Sequence, residues 1–287
     1  MDWLKGLSAC RSSNTSSVIV MITKVSGSAP RTVGTRMLVT ARKIFGTIGG
    51  GALELEGISH ARALIDTSMT SAQAHSLVTR REFALGKELS QCCGGVVELQ
   101  FDCHFAIDYV LNVFGAGHVG QEVTRLALRL PCVTVIHDTR KEWLACVDNI
   151  IAREENQIGI VTTRLMDINA YQYIETLNTA AYYLVMTHSH ELDMDIVEAV
   201  LSCADAAYCG LIASDSKAAR FRNRLKRKGF ADAEIKRLTA PLGRNVSTGN
   251  TPMEVAVAGV SDVLSCRKCL QDCSNSVAAG ISTVPAD

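Results

Sequence analysis

The sequence predicts an α/β protein in which a small mixed α+β N-terminal domain precedes a doubly wound parallel-sheet domain. Three observations predict it. β-branched apolar runs separated by turn residues dominate the first hundred residues, as expected for a strand-rich region. After His104, short apolar strands alternate with amphipathic helical stretches, the pattern of a parallel sheet covered by helices. At 115–120 a glycine-rich turn joins one such strand to one such helix.

The elements follow in order. Val18 to Val25 is a β-branched run ended by the turn residues Ser26-Gly-Ser-Ala-Pro30, and Thr35–Thr40 and Lys43–Ile48 are the next strands. Gly49, Gly50 and Gly51 break the chain before a helix in which Leu53, Glu56, Gly57, His60, Ala61 and Leu64 recur at helical spacing. His75–Phe83 and Val96–Phe101 read as strands. Tyr109–Phe114 is a short buried-type strand, followed by a helix with Val119, Val123, Leu126, Ala127 and Leu130 on one face. Pro131 stops that helix and Val133–His137 is the next strand; Ala180–Thr187 and Tyr208–Ala213 follow, each leading into a helical pattern. The last helix is signposted by Thr251 as N-cap, Pro252 at its first position and Glu254 at its third. The expected division is 1–104, 105–265 and a cysteine-containing tail at 266–287.

Composition narrows the function. With 29 Lys+Arg against 29 Asp+Glu the net charge is zero, which excludes a whole-protein pull towards nucleic acid or an anionic membrane. The apolar share of 47% belongs to a packed globular chain. The first apolar run, Val18–Ile22, is five residues long, so neither a leader nor a membrane span is expected. Eleven cysteines, an odd number, cannot all pair within one chain. A cytoplasmic protein with reduced thiols is expected, in which clustered cysteines point to cofactor, metal or redox chemistry.

Gly115-Ala-Gly117-His118-Val-Gly120 has the dinucleotide-fingerprint spacing between a strand and an amphipathic helix, and the next strand ends in Asp138. Glycines there allow backbone N–H groups to approach a phosphate at a helix N-terminus, and Asp138 is placed for ribose hydroxyls. The alternative is a Rossmann-like turn whose glycines serve the turn alone. Gly49–Gly51 offers a second anion cradle, or simply a tight turn; it lacks the Lys-Ser/Thr of a phosphate-binding P-loop. Gln91-Cys92-Cys93-Gly94-Gly95 presents thiols beside flexible backbone, or two small residues at a strand start.

Other candidates are weaker. Thr187-His188-Ser-His190-Glu-Leu-Asp193 follows a strand, where α/β domains place ligands, and offers a metal site, an acid–base pair or merely a helix cap. Cys266, Cys269 and Cys273 have no fourth ligand at conventional spacing and equally fit one helix face. Lys217–Arg237 holds nine basic and two acidic residues, a solvated basic helix or a surface for an acidic partner. Ser214-Asp-Ser-Lys217 matches a hydrolase string without its companion elements.

Together these segments resemble the XdhC/CoxI family, in its XdhC-type xanthine dehydrogenase accessory branch. The resemblance rests on Gly27-Ser-Ala-Pro-Arg31, Gly46-Thr-Ile-Gly-Gly-Gly-Ala-Leu-Glu54, Gln91-Cys-Cys-Gly-Gly95, Gly115–Gly120, Thr187-His-Ser-His190 and Gly210-Leu-Ile-Ala-Ser214 with Lys217. It implies an N-terminal XdhC/CoxI domain and a C-terminal Rossmann-like domain. It also implies a chaperone, not an enzyme with turnover: a protein that binds molybdenum cofactor in its molybdopterin form. Such a protein holds the cofactor while a cysteine desulfurase sulfurates it and inserts it into apo-xanthine dehydrogenase, in purine catabolism. On that carry-over Cys92 or Cys93 is a molybdenum ligand or sulfur relay, supported by Gly94, Gly95, Arg31, Gly49, Gly50, Gly51 and Glu54. Gly115, Gly117, His118, Gly120, Asp138, His188 and His190 form a nucleotide-type site for NAD(P) or another nucleotide, and a homodimer is expected.

Two other classes stay open at this point. One is an NAD(P)-dependent oxidoreductase using His188 or His190 as acid–base and Asp138 on the ribose. The other is a metal-binding regulator built on the C-terminal cysteines.

Overall fold

The computed structural model describes residues 2–68, 76–85, 95–107, 109–177, 181–203, 205–244 and 249–281. The chain divides into two compact units, Met1–Ile107 and Asp108–Asp287.

The first unit contains α1 (Trp3–Ser12), β1 (Ser17–Ser26), β2 (Arg36–Thr40), β3 (Ile44–Gly46), α2 (Gly51–Ser68), β4 (Ser76–Ala84) and β5 (Val96–His104). Its sheet runs β3-β2-β1-β5-β4, antiparallel throughout. Alternation along β5 buries Val97, Leu99, Phe101 and Cys103, the signature of a sheet with one covered face. α2 supplies that cover, seating Leu53, Ala61 and Ile65 against Val18, Val20 and Ile22 of β1. The sequence reading did not anticipate α1, whose described buried positions are only Gly6 and Cys10 and so carry little apolar periodicity.

The second unit contains β6 (Val110–Phe114), α3 (His118–Ala127), β7 (Val133–Asp138), α4 (Lys141–Arg153), β8 (Ile160–Leu165), α5 (Ala170–Glu175) and β9 (Tyr182–Val185). It continues with α6 (His190–Ser202), β10 (Tyr208–Leu211), α7 (Asp215–Arg227), α8 (Asp232–Lys236), β11 (Leu238–Thr239) and α9 (Pro252–Ile281). The sheet order is β8-β7-β6-β9-β10-β11 and every pairing is parallel. That is the Rossmann order, with the chain reversing its direction of travel across the sheet between β6 and β9. β9 and β10 are buried at every position, as central parallel strands must be. β8 escaped the sequence reading because it is an edge strand with only Val161 fully buried.

α9 begins at Pro252, and its cap is reciprocal: Thr251 N donates to Glu254 Oε2 at 3.0 Å and Glu254 N to Thr251 Oγ1 at 3.4 Å. The helix passes through Ser265 without a break, so residues 266–281 continue it and are not a separate tail. No helix of the described residues is long and apolar enough to cross a membrane.

Candidate functional site

In the first unit, pairing of Ser26 with Val96 carries the ends of β1 and β5 to one edge and sets Gly27 against Gly95. A Cβ on Gly95 would lie 2.4 Å from the Ser28 carbonyl oxygen and 2.8 Å from that of Ser26, so only glycine lets these backbones close. Gly49, at φ +123°, is held likewise: a Cβ there would sit 2.9 Å from Pro30 Cβ and 3.0 Å from Arg31 Cγ. Three motifs far apart in the chain therefore meet along the Ser26–Arg31 turn, Gly95 at its start and Gly49 at its end. Arg31 is exposed and has no ion pair among the described residues. Cys92, Cys93 and Gly94 lie outside the described residues. Gly95→Ala is expected to cost about 1–3 kcal/mol by overpacking. Urea unfolding followed through Trp3, in a Trp143→Phe background, checks it; an unchanged midpoint would mean the backbones are not in contact.

The glycine triplet is not an open anion cradle. Glu54 reaches back from the first turn of α2, and its Oε2 accepts from Ile48 N at 2.9 Å, Gly50 N at 3.0 Å and the Thr47 hydroxyl. Burial alone would raise the Glu54 carboxyl, but the Thr47 hydroxyl and the N–H groups of Gly50, Ile48 and Gly49 outweigh it and hold it below its usual range. The chain's own carboxylate thus takes the place expected for an external anion. Gly50 nevertheless has open space where a Cβ would stand, so the outer side of the loop is accessible.

The second unit brings its two predicted loops together. Phe114 pairs with Val185, so β6 and β9 end level at the point where the strand order reverses. A Cβ on Gly115 (φ +122°) would fall 2.3 Å from the Met186 carbonyl oxygen, and one on Gly120 2.0 Å from that of Gly115. These two glycines close the turn and seat α3 on the sheet, whereas Gly117 faces open space. Ligands of open α/β sheets occupy this crevice beyond the carboxyl ends of the strands.

Asp138 does not offer a free carboxylate there. Its Oδ2 accepts from Ala116 N at 2.8 Å and Arg140 Nη2 at 2.9 Å, and its Oδ1 from Arg140 N at 3.0 Å and Nε at 2.9 Å. Burial raises its pKa, yet the bonds from Arg140 and Ala116 outweigh that and keep it ionised below the usual carboxylate range. The Arg140 guanidinium lies 5.0 Å from the centre of the Trp143 ring, which His118 meets edge-on at 5.5 Å. Sequence reasoning missed Arg140 and Trp143. The available signal was an arginine two residues beyond the acid that ends β7.

His188 and His190 are exposed, His190 opening α6 behind its N-cap Ser189. Asp193 is no partner for them. Its Oδ1 accepts from Thr187 N at 2.9 Å and Thr187 Oγ1 at 2.7 Å, and its Oδ2 from Lys217 Nζ at 2.7 Å. Cys266 is half-buried against the Ala207 carbonyl and Cys269 is exposed. Among the described residues no three His, Cys, Asp or Glu side chains gather in a way that would hold a metal ion. The basic stretch at Lys217–Arg237 is α7 and α8 rather than one helix, with Ala218, Phe221 and Leu225 of α7 buried.

The model of the XdhC Rossmann domain matches residues 111–263, and that of the XdhC and CoxI family matches residues 10–75. The chain belongs to the XdhC/CoxI family. This XdhC/CoxI chain is also 26% identical over 246 residues to protein YqeB of Escherichia coli strain K12. That match covers 83% of this chain and 41% of the relative, so the chain spans well under half of the relative's length. Among solved structures, a xanthine dehydrogenase, BH1974 from Bacillus halodurans, aligns over 94% of this chain and 96% of that one at 15% identity, with a TM-score of 0.47. A 3-hydroxyisobutyrate dehydrogenase, YgbJ of Salmonella typhimurium, aligns over 54% and 61% at 15% identity, with a TM-score of 0.21.

Proposed function

We propose that this XdhC/CoxI protein is a molybdenum cofactor chaperone. It holds the molybdopterin form of the cofactor while a cysteine desulfurase sulfurates it, and delivers the product to apo-xanthine dehydrogenase. The observation that supports this reading most is the meeting of the Gly27–Arg31 turn, the Gly49 loop and Gly95 in one place. Cys92 and Cys93 stand three and two residues before Gly95 in the chain, so thiols and this cluster belong to one short segment. The chemistry of the cargo suits it. A pterin phosphate is an accept-only anion that the exposed Arg31 guanidinium can bind bidentately, and molybdenum favours a soft thiolate ligand. Glu54 contributes by fixing the loop that positions Gly49 and not by touching the phosphate. In the second unit we place a nucleotide, NAD(P) foremost, in the crevice at Gly115–Gly120. We further place the protein in the cytoplasm as a homodimer.

Oxidised pterin released from the purified protein tests this reading. Protein from a molybdopterin-making host should carry pterin and protein from a deficient host should not. Replacing Cys92 and Cys93 together by alanine should lower retained pterin about tenfold, the loss of roughly one good ligand interaction. Undiminished transfer of cofactor by that double variant would remove the thiols from the mechanism. The oxidoreductase reading has less support, because His188 and His190 are exposed and the nearby Asp193 is committed to Thr187 and Lys217.

A further inference from the structure

Taking the crevice at Gly115–Gly120 as a nucleotide site, the reading on which this step rests, we propose that it selects a nucleotide whose ribose carries a 2′-phosphate, with Arg140 as the selecting residue. An acidic residue at the end of the second strand of a Rossmann sheet reads a ribose diol by accepting from its hydroxyls. Asp138 holds that position, at the end of β7, but its side chain is only 2% exposed. Each of its oxygens already accepts two bonds, three of the four coming from Arg140. A diol would have to displace a charged, bidentate pair to reach it.

What this end of the crevice presents instead is donors. The Arg140 side chain is 26% exposed. Its Nε and Nη2 hold Asp138, while Nη1 has no hydrogen bond among the described residues. A guanidinium has N–H groups on both terminal nitrogens and no acceptor, so the unused ones suit an accept-only dianion better than a hydroxyl. The group is also fixed before a ligand arrives. Asp138 holds it along one edge and Trp143 lies against its face. Glu142, on the first turn of α4, is exposed and makes no hydrogen bond to it among the described residues. A phosphate on the ribose 2′-oxygen meets this donor edge without disturbing Asp138.

Titration of the full-length protein with NADPH and with NADH, followed by quenching of Trp143 emission in a Trp3→Phe background, tests the proposal. NADPH should bind at least about tenfold more tightly than NADH. Arg140→Met should abolish that ratio and, by releasing Asp138, improve NADH relative to NADPH. Equal or tighter binding of NADH by the unsubstituted crevice would overturn the 2′-phosphate inference while the nucleotide reading stood. Binding of neither would overturn both. A fold defect in Arg140→Met would weaken both nucleotides together, so competition in the protein with Arg140 intact supplies the second measurement. There 2′,5′-ADP should displace NADPH at least about tenfold more effectively than 5′-AMP, and equal displacement would sink the proposal.

Discussion

Replacing Lys217 with methionine should lower the unfolding free energy of the second unit by about 3–5 kcal/mol, the usual cost of removing one partner from a buried ion pair. Asp193 is 1% exposed and Lys217 12% exposed, with Nζ and Oδ2 2.7 Å apart. Lys217 Nζ also donates to the Ile212 carbonyl at 3.1 Å, so the pair is satisfied as well as close. Without the ammonium, Asp193 keeps its bonds from Thr187 but carries an uncompensated buried charge. Urea unfolding through Trp143, in a Trp3→Phe background, measures the loss. Adding Asp193→Asn should restore much of it, because the double variant has no charge left to bury. A loss under 1 kcal/mol in Lys217→Met would mean that the pair is solvated. The same variant bears on function. Asp193 shapes the Thr187 loop, which leads out of the Met186 backbone packed against Gly115. Nucleotide affinity should therefore fall along with stability.

The elements that were legible in the sequence are those whose signal is local. Gly115, Gly117 and Gly120 stand between a buried strand and an amphipathic helix, and that pattern alone sufficed to read a Rossmann-like turn, which the sheet then sets at the switch of strand order. Thr251, Pro252 and Glu254 fixed the start of α9 for the same reason. The site's internal bonding was not legible, because it depends on which polar groups satisfy one another. Glu54 filling the Gly49–Gly50 loop and Arg140 covering Asp138 are both short-range closures, yet their residue types equally suit contact with a ligand. Chemical type says what a side chain can bind, and geometry says what it already has. The meeting of Gly27, Gly49 and Gly95 is non-local: pairing of β1 with β5 brings Gly27 to Gly95, and packing of Gly49 on Pro30 and Arg31 adds the third, which no single segment encodes.

Acid should destabilise the second unit through one buried imidazole. His137 sits near the carboxyl end of β7 at 1% exposure, with Nδ1 2.9 Å from the Tyr173 hydroxyl and Nε2 2.9 Å from Asn112 Oδ1, stacked on Phe114. Burial, reinforced by the charge of Arg164, pushes its pKa from 6.5 down to about 3. Between those values the unfolded chain binds a proton that the folded chain refuses. Stability is therefore complete above pH 6.5 and falls as the pH drops through this window, at up to about 1.4 kcal/mol per pH unit. The loss should reach on the order of 2 kcal/mol by pH 5. Tyr173 and Asn112 hold the neutral ring in place, so His137→Gln should itself cost stability at pH 7.5. It should also remove the titration, flattening the unfolding free energy between pH 7 and pH 5 relative to the parent. Asp138, whose pKa is lowered, adds its own loss below the unfolded carboxylate range and does so in both proteins. The decisive quantity is thus the difference in slope between parent and variant above pH 5, from urea unfolding at several pH values. Parallel slopes would show that His137 is protonated in the folded state as readily as in the unfolded one, and that the sheet interior is wetter than its packing requires.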